Sequence, residues 1–170
     1  MAIQHSSAVV PALDRVDRRI VAWMKRNGFV FLRVSLAIVF IWFGILKPFG
    51  KSTANELVAR TVYWVDPHWF IPFLGWWEVT IGVSMLIRPL LRAAILLLFL
   101  QMPGTMLPLF LLPQVCFVQV PWVPTLEGQY IIKNLVLISA AIVVGGTVRE
   151  GSGNRLFGKP HEADSTLRGL

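Results

Sequence analysis

Glu78 is the residue from which a chemical reading of this chain starts. It is the tenth residue of a 19-residue apolar stretch from Trp69 to Ile87, about 13 Å from either end if that stretch is a helix rising 1.5 Å per residue. A carboxyl group at such depth in hydrocarbon costs on the order of 2.5–3.5 kcal/mol, and its short side chain cannot reach the surface. It must therefore be neutral, paired or beside water. Three other apolar stretches each supply one polar residue at comparable or slightly shallower depth: Lys47, Gln101 and Lys133. Lys47, Glu78, Gln101 and Lys133 are thus the candidate ligand-binding set. Two lysines against one glutamate leave a positive charge, unless Glu127 folds in from the segment before the fourth stretch as a possible lid or one lysine titrates, and such a site suits an acidic or carbonyl-bearing ligand. A structural ion pair that only fixes helix register is the competing reading.

The remaining reactive side chains offer less. Arg33 lies one turn inside the end of its stretch and can anchor by snorkelling. Met102 and Met106 are spaced i,i+4, which suits a soft Cu(I) ion but suits flexible packing better. Cys116 is the one cysteine, so the chain has no intramolecular disulfide, no CxxC relay and no thiolate cluster of its own. His5 and His161 lie near the ends of the chain and His68 is the one histidine near an apolar stretch, too few for a bis-histidine haem. No metal site is expected. Walker, Rossmann, HExxH and GxSxG patterns are missing, so no catalytic residues are assigned and a self-sufficient enzyme is disfavoured.

Elements able to carry a carboxylate at that depth must be membrane spans. Of the 170 residues, 55% are hydrophobic and 15% charged, with a mean hydropathy of +0.65, well beyond an ordinary soluble domain. Four stretches reach the roughly 20 residues that cross a bilayer: Phe29 to Pro48, Trp69 to Ile87, Leu90 to Leu112, and Gln129 to Val148. Only Arg88, Pro89 and their neighbours separate the second from the third, which makes those two a tight hairpin. The fold class is an all-α membrane protein, a four-transmembrane-helix bundle with an N-terminal interfacial amphipathic helix. Pro103 and Pro108 each remove a backbone donor, so the third span is expected to kink or break.

Charge sets the orientation. The formal net charge is +7, and twelve of the 16 Lys and Arg fall in the amino-terminal segment, the hairpin and the carboxy-terminal tail, against Lys47, Lys51 and Arg60 on the opposite side. The positive-inside rule then places both termini in the cytoplasm. Spread in this way, the cations do not form a nucleic-acid surface. Residues 1–28 are expected to form a cytoplasmic tail and an interfacial helix, with Leu13, Val16, Ile20 and Met24 at helical spacing and Asn27-Gly28 as its stop. Residues 29–148 form the membrane domain. Residues 149–170, rich in Gly, Ser, Asn and Lys, read as a disordered cytoplasmic tail. On the outer side, Asn55 to Val65 is expected along the membrane surface. The segment from Pro113 to Gly128, apolar but interrupted by Pro113, Pro121 and Pro124, is expected to pack down as a lid.

The arrangement Arg33-x6-Phe40-x3-Gly44-x2-Lys47, then Gly75-x2-Glu78-x3-Gly82, Pro124-Thr125-Leu126-Glu127-Gly128-Gln129 and Lys133-Asn134-Leu135, resembles the DoxX-like superfamily of small four-helix membrane proteins. Within it the YkgB-like branch, which includes an inner-membrane protein of reactive chlorine resistance, is most similar. The resemblance covers about Val30 to Val148. It implies a bacterial inner-membrane protein, an accessory or quinone-interacting subunit in redox or oxidative stress defence, with Arg33, Lys47, Glu78 and Lys133 as the matching positions. It also implies a membrane or soluble oxidoreductase as partner, besides the lipid bilayer and a possible homo-oligomer. Two alternatives stay open: a transporter or permeation pathway for a small anion or weak acid, and a structural or assembly factor of a membrane complex.

Overall fold

A computed structural model describes residues 9–153, with side chains from 14 to 147. Seven helices follow one another: α1 (Val9–Leu46), α2 (Asn55–Thr61), α3 (Pro67–Leu86), α4 (Leu91–Met106), α5 (Pro108–Leu111), α6 (Pro113–Cys116) and α7 (Leu126–Gly153). Four segments are long and apolar enough to cross a membrane: Asp14–Leu46, Pro67–Leu86, Arg88–Leu111 and Leu126–Thr147. The chain is a multi-pass, all-α bundle.

Each boundary has a local cause. Helix α1 stops at a Schellman motif, in which the Lys51 N–H donates to Leu46 O and the Gly50 N–H to Lys47 O, with Gly50 at φ +69°, a conformation only glycine adopts without cost. Helix α3 starts at Asp66, whose carboxylate accepts from the His68 N–H at 2.9 Å, with Pro67 in the first turn. A single 3-10 turn, Arg88–Leu90, reverses the chain into α4. Pro103 is accommodated inside α4. The expected break falls at Leu107, before Pro108 opens α5; Leu107 keeps helical dihedrals, φ −55° and ψ −38°, and it is the missing N–H of Pro108 that interrupts the hydrogen-bond ladder.

The core lies where the four long helices meet. Leu36, Ala37 and Phe40 of α1, Ile81 and Met85 of α3, Leu91, Ala94, Leu98 and Met102 of α4, and Ala140, Ala141 and Val144 of α7 form one buried cluster. Met102 belongs to it, which favours packing for the methionine pair. Outward faces carry large apolar side chains such as Trp42, Leu96, Leu100 and Val136, the surface a bilayer covers.

Three expectations are corrected. Asn27-Gly28 does not end a separate interfacial helix, because α1 runs unbroken from Val9 to Leu46. The Asn27 side chain donates back to Trp23 O at 2.9 Å, and a lone glycine costs a helix only about 1 kcal/mol. The helical chain also continues past Arg149 to Gly153, so residues 149–153 are not part of an irregular tail; residues 154–170 lie outside the described residues. The segment expected to pack down as a lid does so only at its base. It forms α6 and a two-stranded antiparallel hairpin, Phe117–Gln119 with Val123–Pro124. Its tip stands away from the bundle, with Trp122 81% exposed, while Cys116 at its base is fully buried.

Candidate functional site

The site is built on the seam between α1 and α3. These two helices run antiparallel with their backbones nearly touching. A Cβ added to Gly44 would lie 2.8 Å from Gly75 O, one on Gly75 would lie 2.6 Å from Gly44 O, and one on Gly82 would lie 2.8 Å from Ala37 O. No residue larger than glycine fits there without a shift of backbone. This proximity carries Lys47, one residue past the end of α1, over Glu78 in the middle of α3.

Lys47 Nζ donates to Glu78 Oε2 in a buried ion pair. Gln101 Nε2, from α4, donates to Glu78 Oε1 at 2.7 Å. Both carboxylate oxygens are therefore occupied by donors, one of them cationic, which is the condition for keeping a charge out of water. Lys47, Glu78 and Gln101 are 7%, 8% and 8% exposed. The lysine is held from its backbone as well: Lys47 O accepts from the Gly50 N–H and from Asn55 Nδ2 at 3.4 Å. Helix α2 thus caps the Lys47 end of the network. Asn55 was not selected from the sequence; a signal existed in Gly50, whose position just past the apolar stretch turns the chain back over its own helix end.

Lys133 does not join this network. It is exposed, with its ammonium 5.2 Å from the centroid of the Tyr130 ring on its own helix. On α7, Ile131, Ala140, Ala141 and Val144 are buried and Leu137 and Ile138 pack against the core, while Lys133, two residues on from Ile131, points about 160° away from that one side chain. Glu127 is likewise exposed and does not fold into the site. Arg33 is half-buried with its Nε unpartnered, about 21 Å along α1 from Lys47. The expected surplus of positive charge is consequently not formed: the centre holds one cation and one anion.

Beside the hairpin, Cys116 has its thiol held above the usual range, first by burial and second by the negative charge of Glu127. It is a poor nucleophile. Thr125 ties the segment together, its hydroxyl donating to Val115 O at 2.6 Å and accepting from the Gly128 N–H at 3.2 Å. Gly128 is needed here because a Cβ would overlap Cys116 O.

Fold and site define a four-span membrane bundle with a buried, charge-neutral Lys–Glu–Gln network. No family model, curated protein or solved structure matches the chain.

Proposed function

We propose that the protein is a DoxX-like accessory subunit of a bacterial inner membrane, with both termini in the cytoplasm, that holds a quinone-class or similar small ligand near Lys47, Glu78 and Gln101 and serves redox or oxidative stress defence beside an oxidoreductase partner. The observation that carries this reading is the buried network itself: three helices each bring a polar group to one point of an otherwise apolar bundle, and intramembrane ionisable groups mark ligand or proton sites. The residue order Gly44-x2-Lys47 and Gly75-x2-Glu78-x3-Gly82 supports the family assignment, since those residues make the helix contact and the ion pair together. In this reading Glu78 is the counter-ion of Lys47, whose remaining ammonium protons suit a ligand oxygen.

Native mass spectrometry from mild detergent tests the proposal. A bound small molecule or co-purified oxidoreductase, lost in Glu78→Gln along with stress resistance, supports it. A bare chain together with unchanged resistance in Glu78→Gln would falsify it. A pathway for a small anion or weak acid has less support, because Lys133, its second cation, stands over Tyr130 on the exposed face. An assembly factor is favoured by one observation, the full occupancy of both Glu78 oxygens; it predicts that apolar replacement of Lys47 and Glu78 together leaves activity intact.

A further inference from the structure

The two amides of the network have their orientations fixed, and each leaves the same kind of atom over. Gln101 faces Glu78, a carboxylate that accepts hydrogen bonds and, paired with Lys47, donates none. Its NH2 group must therefore face the carboxylate. Asn55 faces the backbone carbonyl of Lys47, again an acceptor, so its NH2 group must point there. The leftover atoms are both carbonyl oxygens, Gln101 Oε1 and Asn55 Oδ1, and both are buried without a hydrogen-bond partner. The chain Asn55, Lys47, Glu78, Gln101 thus ends in an unmet acceptor at each extremity, around a pair of charges that cancel. Buried polar atoms of this kind are uncommon because they forgo water without replacement.

We infer that the site takes its ligand as a hydrogen-bond donor through Gln101 Oε1, and so selects a neutral hydroxyl compound of the phenol or hydroquinone class over the corresponding carbonyl form or anion. The inference rests on the ligand-binding reading above and sharpens its chemistry. An anion gains nothing from a centre of zero net charge, and it would face the Gln101 carbonyl dipole with like polarity. A carbonyl compound brings a second acceptor to an acceptor. A hydroxyl satisfies Gln101 Oε1 by donating to it.

Isothermal titration of the full chain in nanodiscs separates these cases with three probes of one shape: tetramethylhydroquinone kept reduced under argon, tetramethylbenzoquinone, and the dimethyl ether of the hydroquinone. The expected result is about tenfold or greater preference for the hydroquinone over both others, the scale on which a site with an unmet polar group discriminates. Gln101→Met should abolish that preference. As a readout on the unaltered protein, infrared difference spectra of chain carrying labelled glutamine should show a side-chain carbonyl band moving to lower frequency with hydroquinone and not with the ether. The band is assigned to Gln101 by its loss in Gln101→Met. Equal binding of hydroquinone and ether, tighter binding of the quinone, or an unmoved carbonyl band overturns the donor inference while leaving a ligand site in place. Absence of binding by all three probes overturns both readings.

Discussion

The two halves of the bundle are joined by different means. Along the α1–α3 seam, Gly44, Gly75 and Gly82 bring one backbone against the other, and a Cβ at any of them would lie less than 3 Å from backbone atoms of the facing helix. Along the α4–α7 seam, side chains do the joining: Ala94 and Leu98 pack with Ala140, Ala141 and Val144, a Cβ on Gly145 would meet only the Ile95 side chain, Cδ1 at 3.3 Å and Cγ2 at 4.0 Å, and one on Gly146 would meet nothing within 4 Å. Glycine therefore means opposite things in the two places. In the first it is a steric requirement that positions two charges; in the second it is tolerance.

The largest expected effect comes from attacking the first seam directly. Gly75→Leu should leave little folded protein in fluorescence-detected size exclusion, because Gly44 O and Pro48 Cδ both lie 2.6 Å from the added Cβ and overpacking against backbone exceeds the about 1–3 kcal/mol of flexible sites. Gly146→Leu, its counterpart on α7, should elute as the parent does. Equal damage from the two would erase the distinction.

Next comes the charge that the seam holds. Lys47→Met strands Glu78 and should cost about 3–5 kcal/mol in reversible unfolding from detergent, whereas Lys47→Met with Glu78→Leu should recover most of that loss. A double variant as unstable as the single one would show that the seam needs its ion pair for more than neutrality.

A smaller contrast separates Gly82→Ala from Gly145→Ala. The first meets Ala37 O and Ile41 N within 3 Å and should destabilise by about 1–3 kcal/mol. The second displaces one methyl of Ile95 and should stay within about 0.5 kcal/mol. Thermal shift measurements on the purified pair are sufficient.

Cys116 extends the comparison to the base of the hairpin. Its thiol is held protonated by burial and by Glu127, so the folded pKa lies above the ordinary value of 9.0. As pH rises through 9 the unfolded chain releases this proton first, and stability falls with further increase in pH. Maleimide labelling of the native protein at neutral pH should be slow, and Glu127→Gln should speed it only slightly, since burial is the larger cause. Rapid labelling of the native protein would contradict the closed packing around Cys116.

The smallest effect is expected at Lys133. Lys133→Met removes an exposed contact with Tyr130, at most about 0.5–1 kcal/mol, and should leave the affinity for any ligand held at Glu78 unchanged.

What the sequence disclosed, it disclosed through length and depth. Runs of about 20 apolar residues locate four spans, three of them within a few residues at both ends and the first only at its carboxy-terminal end, and the position of Glu78 inside one of them demands a partner that Lys47 and Gln101 supply. Azimuth was harder to read. Lys133 has the right depth, yet its side chain is exposed and stands over Tyr130, and depth alone does not report where a side chain turns. Glu127 failed for a similar reason: the chain between α6 and α7 folds into a hairpin on its own hydrogen bonds, so its charge has no need of the bundle. Asn27-Gly28 has the composition of a helix end, yet no change of direction is required there, and α1 continues. Asn55 escaped notice because its role depends on where the chain goes after the turn at Gly50, which brings its side-chain amide to the Lys47 carbonyl.

The contact between α1 and α3 also bears on how the protein enters the bilayer. Of the four spans, the one with Glu78 is the least apolar, and it is followed at once by the hairpin into α4. A segment so compromised gains from meeting, on its way into lipid, a helix already in place whose end carries the opposite charge. Because α1 precedes it in synthesis and offers Gly44 and Lys47 to Gly75 and Glu78, each of the two spans can hide the polar burden of the other. The glycines that bring the two helices together in the finished bundle are thus also the surface on which a newly made α3 can be received.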